Sequence, residues 1–366
     1  MRIVHVESGR HMFGGASQVC RLMQGLGAQG VANVLVCPPG DVPAAASGAA
    51  ETIVLPMGGD FDFGFARRLR VLFGRVRPDI VHVHSRRGAD LFAGLACVAE
   101  RLPAVLTRRV DNPEPAFWAR FKYRPYRAII AISRAVEAEL TVNVGLARSR
   151  VRRIPSAVDT REFRPDPCAR GRLLAELTLP GNAFVVGVCA QLIERKGHDV
   201  LLACVPELVR RHPELRVLCF GRGPLERRLR RAIASRGLDA QVHVAGFRRD
   251  MPALVPGLDV LVHPARREGL GVALLEAMSC AVPVVASAVG GIVDVVETGV
   301  EGLLVTPDNV AELGAALERI IGDARLRKRM GAAGRLRAKR DFSIGLMTER
   351  YLDVYREILA GGHAAV

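Results

Sequence analysis

The sequence predicts an α/β protein made of two Rossmann-like domains, and three features carry that prediction. The chain has 366 residues, more than a single hydrophobic core usually organises. Short apolar runs alternate with helical patterns in two separate series, the arrangement expected of helices layered on parallel sheets. Between the two series lies a stretch punctuated by Pro155, Pro165 and Pro167 that has neither periodicity nor the length of a helix.

Taken in order, Ile3–Val6, Val34–Cys37, Ile80–His84, Ala104–Leu106 and Ala128–Ile132 read as the strands of a first parallel sheet. After the first of them, Met12-Phe13-Gly14-Gly15-Ala16-Ser17 leads into a helical pattern through Val19, Leu22, Met23 and Leu26. Glycines there let backbone amides approach a ligand, but the three-glycine spacing of a dinucleotide fingerprint is missing. The Ala/Gly-rich stretch 42–50 reads as a loop. Asp60-Phe61-Asp62, in a glycine-rich loop before the helical pattern near Phe65, is a chance D-x-D and not a metal site. His82 and His84 alternate with apolar residues on one strand, so both read as buried, with His84 nearer the strand's end.

The second series runs through Val185–Cys189, Val217–Phe220, Val242–Ala245, Val260–His263, Val282–Ala286 and Gly302–Val305. Ser343 can cap a last helix whose Met347, Tyr351, Val354, Tyr355 and Ile358 recur at helical spacing and need an apolar surface to cover. The expected organisation is therefore a first domain over 1–165, a second over 166–342, and a helix over 343–366 that packs back on the first.

Composition narrows the function classes. Hydrophobic residues make up 49%, charged residues 24% and aromatic residues 5%, which fits an aliphatic globular core. The start of the sequence lacks a signal peptide's apolar run and cleavage site, so the expected location is the cytoplasm, and no run approaches the length of a membrane-spanning helix. Eight scattered cysteines lack metal or redox spacing and read as reduced, buried fillers. A net charge of +15 favours polyanions, but no nucleic-acid motif accompanies it, so nucleic acid is not expected as a partner.

The most informative segment runs from His263 to Met278: it leaves a strand, passes Glu268-Gly269-Leu270-Gly271-Val272 and enters a helix. Leu274, Ala277 and Met278 face the core, so the amides at 270–272 point outward at the helix start, where about half a positive charge suits a diphosphate. Glu268 precedes the helix and Glu276 lies in its second turn, so both carboxylates can accept hydrogen bonds from the hydroxyls of one ligand.

This segment resembles the E-x7-E donor motif of glycosyltransferase family 4, the retaining GT-B glycosyltransferases. Further motifs follow in that family's order. Ala190-Gln191-Leu192-Ile193-Glu194-Arg195-Lys196-Gly197 resembles its phosphate-binding stretch, and Phe220-Gly221-Arg222-Gly223-Pro224 its Gly-x-Gly-Pro turn. Gly246-Phe247-Arg248-Arg249-Asp250 resembles the base-side loop, Val289-Gly290-Gly291-Ile292 the loop after the next strand, and 79–84 the matching strand of the first domain. The resemblance implies a GT-B fold, two Rossmann-like domains facing each other across a cleft. It also implies a nucleoside-diphosphate-sugar donor, a UDP-sugar favoured, with no metal and no further cofactor. Glu268 would then contact donor-sugar hydroxyls, Glu276 the ribose and Lys196 the diphosphate, with Glu268 and Lys196 the catalytic pair. Gly269, Leu270, Gly271, Val272, Gln191, Arg195, Arg222, Phe247 and Arg248 would complete the donor site. Gly14, Gly15, His84 and Arg109 would line the acceptor side.

Two departures from the family pattern stand out. Gln191 occupies a position where many members carry arginine, with Arg195 or Arg222 as possible substitutes, and Arg109 stands where members often place a histidine. The implied acceptor is a saccharide or a lipid-linked saccharide of envelope polysaccharide or lipopolysaccharide synthesis. The segment 101–127 joins Arg101, Arg108, Arg109, Arg120, Lys122, Arg124 and Arg127 to Phe117, Trp118, Phe121, Tyr123 and Tyr126 against Asp111 and Glu114, which suits contact with an anionic membrane from the cytoplasmic side. A sugar-nucleotide epimerase of the same fold, or a non-catalytic sugar-nucleotide-binding protein, remains an alternative that product analysis separates.

Overall fold

Strands form where apolar residues run together, because a parallel strand covered by helices on both faces buries every side chain. The computed structural model describes residues 1–12, 14–84, 88–110 and 112–361. Phe13 of the glycine loop and Asp111 of the basic segment lie outside the described residues.

The first sheet contains β1 (Arg2–Val6), β2 (Ala32–Cys37), β3 (Glu51–Val54), β4 (Ile80–Val83), β5 (Ala104–Arg108), β6 (Ala128–Ala131) and β7 (Val151–Arg153). All pairings are parallel, in the order β3-β2-β1-β4-β5-β6-β7. The second contains β8 (Phe184–Cys189), β9 (Leu215–Phe220), β10 (Val242–Gly246), β11 (Val260–His263), β12 (Val284–Ser287) and β13 (Gly302–Val305), also parallel, in the order β10-β9-β8-β11-β12-β13. Each sheet winds one way from its first strand and then reverses, between β1 and β4 and between β8 and β11. This is the doubly wound Rossmann topology, and ligands of such sheets bind beyond the strands' carboxyl ends at the reversal.

Two strands escaped the sequence reading, β3 and β7, and both are sheet edges. An edge strand is buried less completely, so Glu51-Thr52-Ile53-Val54 and Val151-Arg152-Arg153 carry no continuous apolar run.

The chain divides into two units. One comprises Met1–Ala157 together with the chain from Ile344; the other is Val158–Ser343. The division falls inside the proline-punctuated stretch. Within the first unit, helix Ile344–Ala360 buries Met347, Tyr351, Leu352, Val354 and Tyr355 against Ile3, Leu22, Ile80, Val105 and Ile130. Within the second, the two chain ends are neighbours, since the Val158 amide donates to Phe342 O at 2.9 Å. Six of the cysteines are buried as expected, but Cys189 is only partly buried and Cys168 is exposed, because it sits at the start of helix Ala169–Glu176. Among the described residues, no helix is long and apolar enough to cross a membrane.

Candidate functional site

In the second unit the reversal between β8 and β11 assembles the residues picked out from sequence. After β8 the chain makes a single tight turn, Glu194–Lys196, and closes it on Gly197 with φ +66°. A side chain at Gly197 would place its first carbon 1.8 Å from the Pro264 carbonyl oxygen, so only glycine lets this turn lie against the segment leaving β11. Arg266 fastens the same contact. Its amide donates to Arg195 O at 2.8 Å, and its guanidinium donates to Glu194 O and to the carboxylates of Asp199 and Asp308.

That clamp brings Lys196 to Glu268. Lys196 Nζ donates to Glu268 Oε2, His263 Nε2 donates to the same oxygen at 2.7 Å, and the Gly269 amide donates to Oε1 at 3.1 Å. Burial works to raise the carboxyl's pKa, yet the Lys196 charge and the His263 hydrogen bond outweigh it and hold Glu268 far below the usual carboxylate range. Glu268 is therefore an anion at every physiological pH. It accepts hydrogen bonds and has no proton to give. Burial keeps His263 below its ordinary value, despite the bond to Glu268, so the imidazole is neutral with its proton on Nε2.

Gly269, Leu270 and Gly271 follow, all buried, and Gly271 at φ +94° turns the chain into helix Val272–Ser279. Leu274, Ala277 and Met278 are fully buried, as the spacing predicted, which directs the opening amides away from the core. Val272 and Glu276 are half-buried on the helix. The Gly291 amide of the loop after β12 donates to Glu268 O at 3.0 Å, fixing the backbone that carries the carboxylate.

The remaining donor-side candidates lie in turns stitched to this centre. Gln191 is half-buried after β8; beside it Leu192 N donates to Arg222 O at 3.1 Å. Gly221 and Gly223 pass so close to the Ala190 and Leu192 carbonyls that neither position has room for a side chain. The Arg222 guanidinium lies 4.8 Å from the ring centre of Phe247, and Arg248 pairs with Asp250 and Glu176. Arg195 Nη1 reaches Arg267 O at 3.4 Å.

Sequence reasoning did not single out His263, which bonds to Glu268, or Arg266, which ties the Glu194–Lys196 turn to the segment after β11. A histidine ending an apolar strand at the sheet's reversal was the available signal for the first. Arg266 looked like one more basic residue. His198, the first residue of helix His198–Arg211, is also buried, and neither of its ring nitrogens has a hydrogen-bond partner among the described residues.

In the first unit, Gly14 opens helix Gly14–Ala28, and Gly15 sits 3.8 Å, measured from an added Cβ, from Arg109 Cδ. Arg109 follows β5 and reaches His84, which follows β4 and is buried. Asp62 of the D-x-D closes its own loop by accepting from Gly58 N at 2.7 Å and pairing with Arg68.

The basic segment is not uniform. Phe117, Trp118 and Phe121 are exposed on helix Ala116–Tyr123, with Trp118 and Phe121 stacked at 5.6 Å, and Arg120, Arg124 and Arg127 are exposed beside them. Arg108, Lys122, Tyr123 and Tyr126 are instead buried, which corrects their place in a surface cluster. Arg108 and Lys122 each hold Glu114 at 2.7 Å, and Lys122 also holds Asp90 at 2.7 Å. Burial would raise the Glu114 carboxyl, but hydrogen bonds from Lys122 and Tyr123 and the charge of Arg108 bring it down to about 2.

Two family models match the chain: Glycosyltransferase Family 4 over residues 13–162 and Glycosyl transferases group 1 over residues 170–337. An alpha-maltose-1-phosphate synthase of Mycobacterium tuberculosis is 32% identical over 312 residues, 76% of this chain and 79% of that protein. A GDP-mannose-dependent alpha-(1-6)-phosphatidylinositol monomannoside mannosyltransferase of Mycolicibacterium smegmatis is 36% identical over 193 residues, and the match spans 50% of each protein. Among solved structures, HepE of Anabaena in complex with UDP and glucose superposes with a TM-score of 0.86 at 20% identity, over 97% of this chain and 99% of that one.

Proposed function

Because this chain belongs to glycosyltransferase family 4, the glycosyl transferases group 1, we propose that it is a retaining glycosyltransferase that moves a sugar from a nucleoside-diphosphate-sugar to a saccharide or lipid-linked acceptor. The observation that carries the reading is the Lys196–Glu268–His263 cluster at the mouth of helix Val272–Ser279. The donor diphosphate lies against the opening amides of that helix, and Glu276 accepts from the ribose hydroxyls. Glu268, ionised throughout, accepts from hydroxyls of the donor sugar. Once sugar hydroxyls share its oxygens, Lys196 turns part of its charge to the diphosphate, which gains negative charge as the glycosidic bond breaks.

Stabilising that leaving group more than the ground state is what accelerates transfer, and it needs no divalent cation. The acceptor hydroxyl attacks from the face the diphosphate leaves, its proton passing to the departing phosphate oxygen, so the anomeric configuration is kept without a protein nucleophile. A UDP-sugar is the favoured donor, in keeping with the UDP carried by HepE. Gln191, Arg195, Arg222, Phe247 and Arg248 frame the nucleotide end, while Gly14, Gly15, His84 and Arg109 serve the acceptor side.

The exposed Phe117, Trp118 and Phe121 beside Arg120, Arg124 and Arg127 favour an acceptor presented at an anionic membrane, as in envelope polysaccharide or lipopolysaccharide synthesis. Each basic side chain near such a surface contributes about 1 kcal/mol. The deciding experiment incubates the protein with UDP-, GDP-, ADP- and CMP-sugars and candidate acceptors and identifies the products. A glycoside with the donor's anomeric configuration supports the reading. An epimerised sugar nucleotide without transfer replaces it with an epimerase, and binding without turnover replaces it with a sugar-nucleotide-binding protein.

A further inference from the structure

Beneath the carboxyl ends of β1 and β4 lies a group of three buried imidazoles, of which only His84 enters the transfer reading. His5, His82 and His84 are each at most 2% exposed. Burial, the largest influence on each, lowers all three pKa values, and His5 falls to about 4. The rings are neutral, so each has one N–H and one lone pair.

The direction of every bond in one chain of contacts can be deduced. Asn33 Nδ2 lies 3.1 Å from Met23 O and 3.2 Å from Val31 O. Carbonyls only accept, so the amide's NH2 faces them and its Oδ1 faces His5 Nε2 at 3.0 Å. His5 Nε2 must therefore carry the proton, which makes His5 Nδ1 an acceptor. The partner of His5 Nδ1 is His84 Nε2 at 2.9 Å, which must then donate. His84 Nδ1 is left with a lone pair, and it faces Arg109 Nη2 at 3.4 Å, a group that only donates. His82 is separately engaged by Tyr355 OH at 2.6 Å and Thr107 Oγ1 at 2.7 Å. Ring nitrogens of the three histidines come within 4.8 Å of one another, the spacing of a metal site, but these hydrogen bonds occupy their lone pairs.

We propose that Asn33, His5 and His84 form a one-directional hydrogen-bond relay that positions Arg109, with both imidazoles locked as Nε2–H tautomers and the His84 lone pair turned to the guanidinium. Arg109 is thereby held by a neutral acceptor that leaves its charge uncompensated, whereas a carboxylate in the same place would neutralise it. The relay is a set of positioning residues, and its use rests on reading Arg109 as an acceptor-side group. The test below does not depend on that reading or on any activity.

Histidine-selectively 15N-labelled full-length protein is measured at pH 8 by long-range 1H–15N correlation, each ring assigned by single replacement. The expected result is a pure Nε2–H pattern for His5 and His84. Arg109→Met should move the His84 Nδ1 resonance downfield as its donor is lost. Asn33→Asp and Asn33→Leu both remove the donors to Met23 and Val31, but only the aspartate keeps an acceptor for His5. The Asp variant should retain the wild-type signals of both rings, and the Leu variant should shift the Nε2 signal of His5, which loses its acceptor, while Arg109 still holds the His84 lone pair. An Nδ1–H proton on either ring of the wild-type protein overturns the relay. So does a His84 signal indifferent to Arg109→Met, or a His5 signal that is the same in the Asp and Leu variants. If the Leu variant does not fold, the wild-type and Arg109→Met spectra still decide.

Discussion

Replacing Lys196 with methionine removes a charge and keeps most of the stem that packs against the turn. Lys196 and Glu268 have side chains only 10% and 13% exposed, so the variant strands a carboxylate in a site largely closed to water. Breaking a buried ion pair from one side typically costs about 3–5 kcal/mol. Glu268 keeps the His263 and Gly269 hydrogen bonds, which soften the loss, and the expected cost at pH 8 is about 2–3 kcal/mol. In a unit of this size that corresponds to a fall in Tm of roughly 4–12 °C. The pH dependence gives the sharper check. A depressed carboxyl stabilises the fold above its ordinary value, 4.5, and that contribution fades as pH falls toward the folded-state value. Without Lys196 the folded-state value rises, so protonation relieves the variant earlier than the wild type. A loss of about 2–3 kcal/mol raises the carboxyl by only about 1.5–2 pH units, so the difference between the two proteins should be full from pH 8 down to pH 4.5 and should shrink only in strong acid, below the variant's own folded-state value, read by urea unfolding with far-UV circular dichroism. A deficit that is already smaller at pH 6 than at pH 8 would refute the idea that Lys196 acts by balancing the Glu268 charge.

Glu276→Ala should weaken nucleoside diphosphate binding by about 1.5–3 kcal/mol in calorimetry, and unchanged affinity would remove the ribose assignment. Gly197→Ala forces a left-handed residue and a contact with Pro264 O, so it should cost at least about 2 kcal/mol in thermal unfolding, whereas Gly181→Ala, with open space around it, should be near neutral. Arg108→Met should cost about 3–5 kcal/mol from pH 8 down to pH 5, with the deficit fading as pH falls from there toward 2, where Glu114 protonates. In liposome flotation, joint replacement of Phe117, Trp118 and Phe121 by serine should abolish recovery with anionic vesicles; equal recovery with and without these side chains would favour a soluble acceptor.

What was legible in the sequence follows from how each residue is buried. The inner strands β8, β9, β11 and β12 of the second sheet stand out because they are sheathed on both sides, and the edge strands β10 and β13 still carry apolar runs, while β3 and β7, at the edges of the first sheet, lack that signature. The cluster around Glu268 was legible because Glu268, Gly269, Gly271 and Glu276 are close in the chain and their spacing carries the strand-to-helix geometry. The relay was not, because Asn33, His5, His84 and Arg109 sit on four separate chain segments, and a buried histidine looks the same in sequence whether it works or only fills space. The basic-aromatic segment misled for a related reason. Arg108 and Lys122 find carboxylates in Glu114 and Asp90, and Asp90 lies far back in the chain, in a different helix.

The assignment of the chain from Ile344 to the first unit fixes an order of events during synthesis. The second unit is continuous, so all of its residues leave the ribosome before the first unit has its final helix. At about 5–20 residues per second, the first unit waits roughly 10–40 seconds after Ala157 is made. Over that interval the surface around Ile3, Ile80, Val105 and Ile130 is uncovered and open to nascent-chain chaperones, until Tyr351 and Tyr355 arrive to seal it. The portion of the protein made first is thus the portion finished last.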